Sequence, residues 1–301
     1  PVPPANPTPS RDDPVQVKVL AAGLHNLVRG RASGKHYSAK TLPHIPGADG
    51  VGTLVPSGQL VYFSAMAVPG AGSFVGYINL PLKATAPIPD GADPVRAAGL
   101  LNPVMASWMA IKKRTDVAKL PAGWTCVIVG ATSLSGMVAV SVAREFGAGK
   151  VVGIARDGKK MEGVTGLDEQ IVLGSGEGGL AGTEWNGALD ADVILDFIYG
   201  EPTLELFKAL KAGKPVQYVQ IGTMAGRTVD LPGDVLRSKD ITIRGTGPGA
   251  WEMREVAVEA PKMLKAIAEG RVDAVGYGFK EVKLADIESE WENVEGRMVV
   301  V

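Results

Sequence analysis

Cysteine and histidine are scarce in this sequence, with one cysteine and three histidines among 301 residues. The single cysteine, Cys126, excludes a disulfide within the chain, which is typical of proteins from a reducing compartment. We therefore expect a cytoplasmic protein. The same scarcity excludes the usual tetrahedral zinc site of nitrogen and sulfur ligands, so we expect no metal.

An excess of charge of one sign and long apolar runs are also absent. The 31 basic residues nearly cancel the 32 acidic ones, which leaves a formal net charge of −1. Such a chain has no strong field to attract nucleic acid or an anionic membrane. No apolar run reaches the roughly 18 residues that span a bilayer. The Pro-rich opening, PVPPANPTPSRDD, contains no apolar signal core and is compatible with a natural start further upstream.

Short segments rich in β-branched residues, separated by Gly and Pro, fill the first part of the chain. This spacing is typical of a small, irregular β domain. The predicted strands there span 15–22, 50–54, 60–64 and 72–78. We predict a loop over 23–47 and a helix over 93–113. The helix is expected to be interrupted at 102–103, because proline ends or kinks a helix.

Strands and helices alternate in the rest of the chain, which predicts a parallel sheet covered on both faces. The predicted strands span 125–129, 150–154, 169–172, 192–196, 216–221 and 241–245. The predicted helices span 134–146, 202–212 and 251–269. Two further strands, 277–282 and 298–301, are expected to return to the first domain.

The turn after the strand 125–129 carries most of the functional information. In the usual dinucleotide fingerprint, three glycines make the tight turn, admit the pyrophosphate and let the helix pack on the strand. Gly130, Ser133 and Gly136 occupy these places, so serine replaces the middle glycine. We expect the hydroxyls of Thr132, Ser133 and Ser135, with the amides of the helix start, to hold a diphosphate. The alternative is an ordinary helix start that serine caps.

Charged residues after the strand 150–154 indicate which dinucleotide binds. A carboxylate at this place would hold the ribose of NAD. Here Arg156 comes first, followed by Asp157, Lys159 and Lys160. Because a guanidinium pairs well with a phosphate, we expect NADP, or NADPH in its reduced form. If Asp157 faces the ribose instead of Arg156, the preference reverses.

Several segments occur together in an order and spacing that resemble a known family. They are AAGL (21–24), LPHIPGADGVG (42–52), LLNPVMASW (100–108), the turn 130–136, DVILDFIYG (192–200) and VQIGTMAG (219–226). Almost the whole chain resembles the medium-chain dehydrogenase/reductase superfamily, in its zinc-independent quinone-oxidoreductase-like branch. The resemblance implies an α/β fold with two domains. One is a GroES-like β-barrel domain formed by 1–105 and 272–301, and the other is a Rossmann domain with a doubly wound parallel sheet, formed by 106–271.

The resemblance also implies NADPH as cofactor, a quinone or enone as small-molecule substrate, and a homodimer. Carried over by position, the residues expected along the cofactor are Gly130, Ala131, Thr132, Ser133, Leu134, Ser135, Gly136, Arg156, Lys160, Asp196, Phe197, Ile198, Ile221, Gly222, Thr223, Met224 and Arg297. Where zinc members carry a ligating His-Glu pair, this chain has PGADG (46–50). A carbonyl substrate would therefore be polarised by hydrogen bonds.

Candidate catalytic residues follow from the same resemblance. They are His25, Tyr37 and Asn102, and the expected substrate contacts are Asn26, Tyr199 and Trp251. His25 stands where many family members have Asn, but a histidine at a strand end is equally a hydrogen-bonded scaffold. The Asp and Tyr expected beyond this place are replaced by Val28, Gly30 and Arg31, so the identity of the proton donor stays open, with the phenol of Tyr37 as one candidate.

The sequence thus predicts a metal-independent, NADPH-dependent oxidoreductase that transfers hydride to a quinone or an α,β-unsaturated carbonyl. Two alternatives stay open. One is an enoyl reductase that acts on an acyl chain in biosynthesis. The other is an NADPH-binding sensor or scaffold with little turnover, which the serine at position 133 and the missing Asp and Tyr leave possible.

Overall fold

The computed structural model describes residues 12–39, 42–175, 178–293 and 296–301. The Pro-rich opening up to residue 11 lies outside these ranges. The chain folds into two compact units. The first unit holds the described part of Pro1–Asn102 together with Met253–Ala268 and Gly278–Val301. The second unit holds the described part of Pro103–Glu252 together with Glu269–Tyr277.

The elements follow one another along the chain in two kinds of region, β-rich at both ends and alternating in the middle. The strands are β1 (Pro14–Leu24), β2 (Asp49–Val55), β3 (Leu60–Ser64), β4 (Tyr77–Pro81), β5 (Thr85–Pro87), β6 (Thr125–Val129), β7 (Lys150–Ala155), β8 (Glu169–Val172), β9 (Val193–Asp196), β10 (Val216–Gln220), β11 (Ile241–Gly245), β12 (Phe279–Val282) and β13 (Arg297–Val300). The α-helices are α1 (Asn26–Ala32), α2 (Pro94–Arg114), α3 (Leu134–Glu145), α4 (Gly158–Glu162), α5 (Glu201–Ala209), α6 (Gly233–Ser238), α7 (Met253–Ala268) and α8 (Ile287–Glu290). Short 3₁₀ helices lie at Ala65–Ala67, Leu82–Ala84, Val117–Lys119, Gly179–Gly182, Asn186–Ala188 and Leu284–Asp286.

β1 lies at the centre of the sheet in the first unit. It pairs antiparallel with β2, β4 and β13, and the sheet order is β12-β13-β1-β2-β3-β5. Ala22 of β1 lies opposite Val300 of β13, so the predicted return of the last strands to the first domain is confirmed. Apolar clusters around Phe63 and around Val28 form the core of this unit.

The sheet of the second unit has the order β11-β10-β9-β6-β7-β8, and all its strand pairs are parallel. Numbered from β6, this is the order 3-2-1-4-5-6 of a doubly wound Rossmann sheet. The predicted parallel α/β sheet is therefore confirmed. Its inner strands are apolar on both faces, and Cys126, Val127 and Ile128 of β6 are completely buried, as helices on both sides require.

Two predictions in the first part of the chain are wrong. The predicted loop 23–47 contains the end of β1 and then α1, whose buried Val28 packs into the core. The predicted strand 72–78 pairs only at its end, because β4 begins at Tyr77. A Cβ atom at Gly72 would lie 2.0 Å from the carbonyl oxygen of Ile45, so this part of the chain packs backbone to backbone instead of extending the sheet.

The predicted interruption of the helix at 102–103 is also wrong, because α2 runs through Pro103. Leu100, Leu101 and Val104 beside the proline are at most 1% exposed. Burial of these apolar side chains outweighs the backbone hydrogen bond that a proline removes. At the other end of the chain, α7 contacts β5 and belongs to the first unit, although its residues fall in the expected Rossmann range 106–271.

None of the helices within the described residues is long and apolar enough to cross a bilayer.

Candidate functional site

Three turns meet at the carboxyl ends of strands in the second unit. The glycine turn (130–133) follows β6, the β9 turn (197–200) follows β9, and the β10 turn (221–226) follows β10. A Cβ atom at Gly130 would lie 2.9 Å from Cγ2 of Ile198, and one at Gly222 would lie 2.2 Å from the carbonyl oxygen of Phe197. The strand order reverses between β6 and β9, which is where doubly wound sheets bind their ligands.

Gly130 and Gly136 give the glycine turn its close packing. Gly130 has a φ of +95°, which favours glycine, and its amide donates to the carbonyl oxygen of Ile154 at 2.8 Å. A Cβ atom at Gly136 would lie 2.3 Å from the carbonyl oxygen of Gly130. These two glycines therefore allow the tight turn and the contact of α3 with β6.

Ser133 caps α3 within the protein. Its hydroxyl donates to the carbonyl oxygen of Gly130 at 2.9 Å and accepts from the amide of Gly136 at 3.1 Å. Because a hydroxyl has one proton to donate, and this one serves the carbonyl oxygen of Gly130 in this geometry, a contact of this side chain with a phosphate stays a prediction. The amides of Leu134 and Ser135 head the helix and are the groups available to an anion.

Arg156 and Asp157 follow β7, and the protein already uses one of them. The Oδ1 atom of Asp157 accepts from the amide of Lys160 at 3.0 Å and so caps α4. The Nζ atom of Lys160 lies 4.0 Å from Oδ2 of the same carboxylate. The side chain of Arg156 is exposed. The guanidinium, and not the capping carboxylate, is therefore the group available to a phosphate at this strand end.

Asp196 ends β9 and is completely buried. Its Oδ1 atom accepts from the amides of Ile198 and Tyr199, both at 2.8 Å. Its Oδ2 atom accepts from the hydroxyls of Thr203 at 2.5 Å and Tyr218 at 2.7 Å. Asp196 therefore holds the β9 turn, and its expected place along the cofactor stays a prediction.

Four more of the residues expected along the cofactor, 221–224, lie in the β10 turn. The amides of Ile221 and Gly222 donate to the carbonyl oxygen of Asp196, at 2.7 and 3.1 Å. Thr223 and Met224 extend beyond them, and Met224 is 72% exposed. Trp251 lies past the end of the edge strand β11, where its indole donates to the hydroxyl of Thr246 at 3.1 Å. It therefore follows a different strand end from Tyr199.

His25 lies in a buried polar cluster of the first unit. Its Nε2 atom is 3.4 Å from Oδ1 of Asp49, and the hydroxyl of Tyr62 donates to Oδ2 of Asp49 at 3.1 Å. Burial lowers the pKa of His25 despite the opposing pull of Asp49, and the charge of Arg297 lowers it further. Burial also raises the pKa of the Tyr62 phenol.

These contacts define the tautomer of His25. A neutral imidazole that faces a carboxylate carries its proton on the facing nitrogen, here Nε2. Nδ1 is then an acceptor, and it is buried with no hydrogen-bond partner among the described residues. Asp49 and Tyr62 were not predicted from the sequence as site residues. The signal for Asp49 was an acidic side chain between the small residues of PGADG.

The other candidates in the first unit are more open to solvent. Tyr37 is 70% exposed, with its ring centroid 4.3 Å from that of His36. Asn26 is exposed at the start of α1, and Asn102 is half-buried in α2. Arg297, the first residue of β13, acts on His25 through its charge. The structure therefore brings His25, Asn26 and Arg297 together, whereas Tyr37 lies at the surface.

No group of three His, Cys, Asp or Glu side chains suited to a metal ion occurs within the described ranges.

No family model matches the chain. The probable NADPH-dependent quinone reductase tdiC of Emericella nidulans is 32% identical over 343 aligned residues, which cover 98% of this chain and 94% of that protein. The quinone oxidoreductase of Thermus thermophilus, also solved in complex with NADPH, has a TM-score of 0.75 and 22% identity over 98% of this chain and 94% of that one. The quinone oxidoreductase of Pseudomonas syringae pv. Tomato has a TM-score of 0.74 and 17% identity over 99% and 94%. The chain belongs to the quinone-oxidoreductase-like branch of the medium-chain dehydrogenase/reductase superfamily and has its fold of a GroES-like and a Rossmann domain.

Proposed function

We propose that this chain is an NADPH-dependent oxidoreductase that transfers a hydride to a quinone. The observation that carries the proposal is the glycine turn, which places the start of α3 where the strand order of a Rossmann sheet reverses. The name of the E. nidulans relative, which matches nearly end to end, supports the same reaction and the same cofactor.

The residues of the second unit fit this cofactor. The amides of Leu134 and Ser135 would hold the pyrophosphate, and the exposed guanidinium of Arg156 would hold the 2′-phosphate. The β9 and β10 turns would lie along the nicotinamide half. When bound, NADPH supplies the hydride, and the protein orients both reactants.

The first unit contributes polar groups for the acceptor. One donor placed at the developing oxyanion is worth roughly 10²–10³ in rate. The amides of Asn26 and Asn102 and the phenol of Tyr37 are the proposed donors. His25 is proposed to accept a hydrogen bond at Nδ1, because Asp49 keeps the imidazole proton on Nε2.

Three further features complete the proposal. The reaction needs no metal, which fits a chain with one cysteine and three histidines. The protein is a homodimer, which the open edge of β11 supports, since Ile243 on this strand is 43% exposed. It is located in the cytoplasm, a reducing compartment in which a single cysteine stays a free thiol, as the buried Cys126 is here.

Stopped-flow oxidation of bound NADPH tests the function directly. We expect 1,4-naphthoquinone to oxidise the bound cofactor in a single turnover, and calorimetry to detect NADPH binding. Faster oxidation by an enoyl thioester than by the quinone would assign the chain to acyl reduction instead. Tight binding without oxidation by either acceptor would leave only a sensor or scaffold.

A further inference from the structure

We propose that Tyr199 selects the acceptor by packing its ring against a planar quinone ring, and that Asp196 is the positioning residue that holds Tyr199 in place. The inference rests on the proposed function and deepens it. It assigns a cyclic, planar quinone to the site in preference to an acyclic enone.

The backbone of Tyr199 is the first observation. Its φ is +57°, and no other non-glycine residue has a positive φ within the part of the chain that the structure describes. This left-handed conformation is costly for a bulky side chain and persists only where the surroundings impose it. Glycine would adopt it freely, as the next residue does with a φ of +79° at Gly200. A tyrosine at a position that favours glycine indicates that its ring has a function.

Asp196 holds the peptide group that precedes Tyr199, because its Oδ1 atom accepts from the Tyr199 amide at 2.8 Å. The hydrogen bonds that the amides of Ile198 and Tyr199 donate to its Oδ1 atom fix the peptide groups on both sides of Ile198. The hydroxyls of Thr203 and Tyr218 fix its Oδ2 atom from α5 and β10. Hydrogen bonds to a carboxylate are short and directional. Because α5 and β10 both fix this carboxylate, it keeps the β9 turn rigid.

The place of the ring supports contact with a ligand. Tyr199 packs against the apolar core of the second unit and is still partly exposed, whereas its neighbour Phe197 is only 6% exposed. The β9 turn lies where the strand order reverses, in contact with Gly130 of the glycine turn. A ring that is backed by a core and open on its remaining surface is a rigid stacking platform.

The chemistry of stacking favours a quinone. A quinone presents a flat, electron-poor ring, and a phenol ring is flat and electron-rich, so offset stacking is favourable. An acyclic enone presents no such face. The ring of Tyr199, and not its hydroxyl, is therefore the selective element.

Three variants of Tyr199 test this selection with 1,4-naphthoquinone and trans-3-penten-2-one as acceptors. Y199G is expected to raise the KM for naphthoquinone about tenfold relative to the KM for pentenone. Y199F keeps the ring and is expected to match the wild type. Y199N, which tolerates the left-handed backbone, is expected to match Y199G.

Several outcomes would overturn the selection by Tyr199. An equal rise of KM for both acceptors, or a Y199F variant that behaves like Y199G, would show that the ring does not discriminate. Unchanged kinetics in Y199G would show that Tyr199 does not touch the acceptor. If the wild type oxidises NADPH with neither acceptor, the proposed function itself fails, and the inference falls with it.

The positioning role of Asp196 is tested by a double-mutant cycle. Asp196→Asn is expected to raise the KM for naphthoquinone several-fold in the wild-type background and to add little in the Y199G background. Thr203→Val removes one donor to Oδ2 and is expected to give a smaller effect of the same sign. It takes the place of Asp196→Asn in the cycle if that variant does not fold. Equal increases in both backgrounds would assign Asp196 a structural role only.

Discussion

Single residues of the site differ in whether the protein already uses their polar groups. Ser133, Asp157 and Asp196 each serve a local amide or hydroxyl, so their side chains build the turns. Arg156 is exposed and follows β7 directly. Groups that are already hydrogen-bonded shape a site, whereas an exposed guanidinium is available to a charged ligand.

Replacing Arg156 with alanine tests its proposed contact with the 2′-phosphate. We expect the Kd for NADPH to rise by roughly 10–100-fold, the value of a hydrogen bond to a charged group, while the Kd for NADH barely changes. Arg156→Lys should recover part of the loss. Calorimetric titration with both cofactors measures the difference. An equal loss for both would mean that the guanidinium does not contact the phosphate.

The buried His25 gives stability a dependence on pH. Its pKa is lowered in the folded protein below its ordinary value of about 6.5. The unfolded chain therefore binds more protons in this range, and stability falls as the pH drops below about 6.5. The charged and titratable groups that act on the imidazole are Asp49, its partner Tyr62, and Arg297.

His25→Gln removes this titration and tests the assignment. Between pH 7.5 and 5.5, the melting temperature of the wild type is expected to fall more steeply than that of the variant. Thermal unfolding monitored by circular dichroism provides the comparison. Parallel profiles for the two proteins would show that His25 does not titrate within this window.

Individual elements were predictable where the sequence pattern is strong and local. The bounds of β6, β8 and β11 agree with prediction, because short apolar or β-branched runs are bounded by turn residues. α1 was not predicted, and neither was the continuity of α2 through Pro103, because burial of Val28 and of the residues around Pro103 decides them. Likewise, the spacing of Gly130 and Gly136 located the nucleotide turn, but the partners of Ser133 and Asp196 depend on atoms that only the fold brings near.

The contact between α3 and β6 depends on Gly136. Gly136→Ala would place a methyl group 2.3 Å from the carbonyl oxygen of Gly130, and backbone atoms cannot move aside cheaply. We expect a loss of about 1–3 kcal/mol in the free energy of unfolding, together with weaker NADPH binding. Gly76→Ala is the control, because no atom lies within 4 Å of the added methyl group. Chemical denaturation that finds the two variants equally stable would contradict the packing role.

The edge strand β11 is the element proposed to join two copies of the chain. Ile243→Lys is expected to shift the protein from dimer to monomer in sedimentation, because a charge on an exposed apolar edge opposes strand pairing. Val172→Lys on β8, the strand at the opposite edge, is the matched control, since Val172 is 50% exposed. Dissociation by Val172→Lys alone would move the interface to the other edge.

Considered as a whole molecule, the protein is expected to work without a metal. We expect dialysis against EDTA to leave the rate of NADPH oxidation and the melting temperature unchanged, because one cysteine and three histidines do not provide a usual zinc site. Loss of activity that zinc restores would contradict this expectation.

Both ends of the chain contribute to one sheet, and this has a consequence for biosynthesis. A ribosome delivers β1 early, but β13, which lies against it, is made only after the whole second unit. Pairing of strands so distant in sequence makes folding slow. Until β13 is made, Ala22–Leu24 at the end of β1 lack their strand partner, so a nascent chain exposes a strand edge that can pair with other chains.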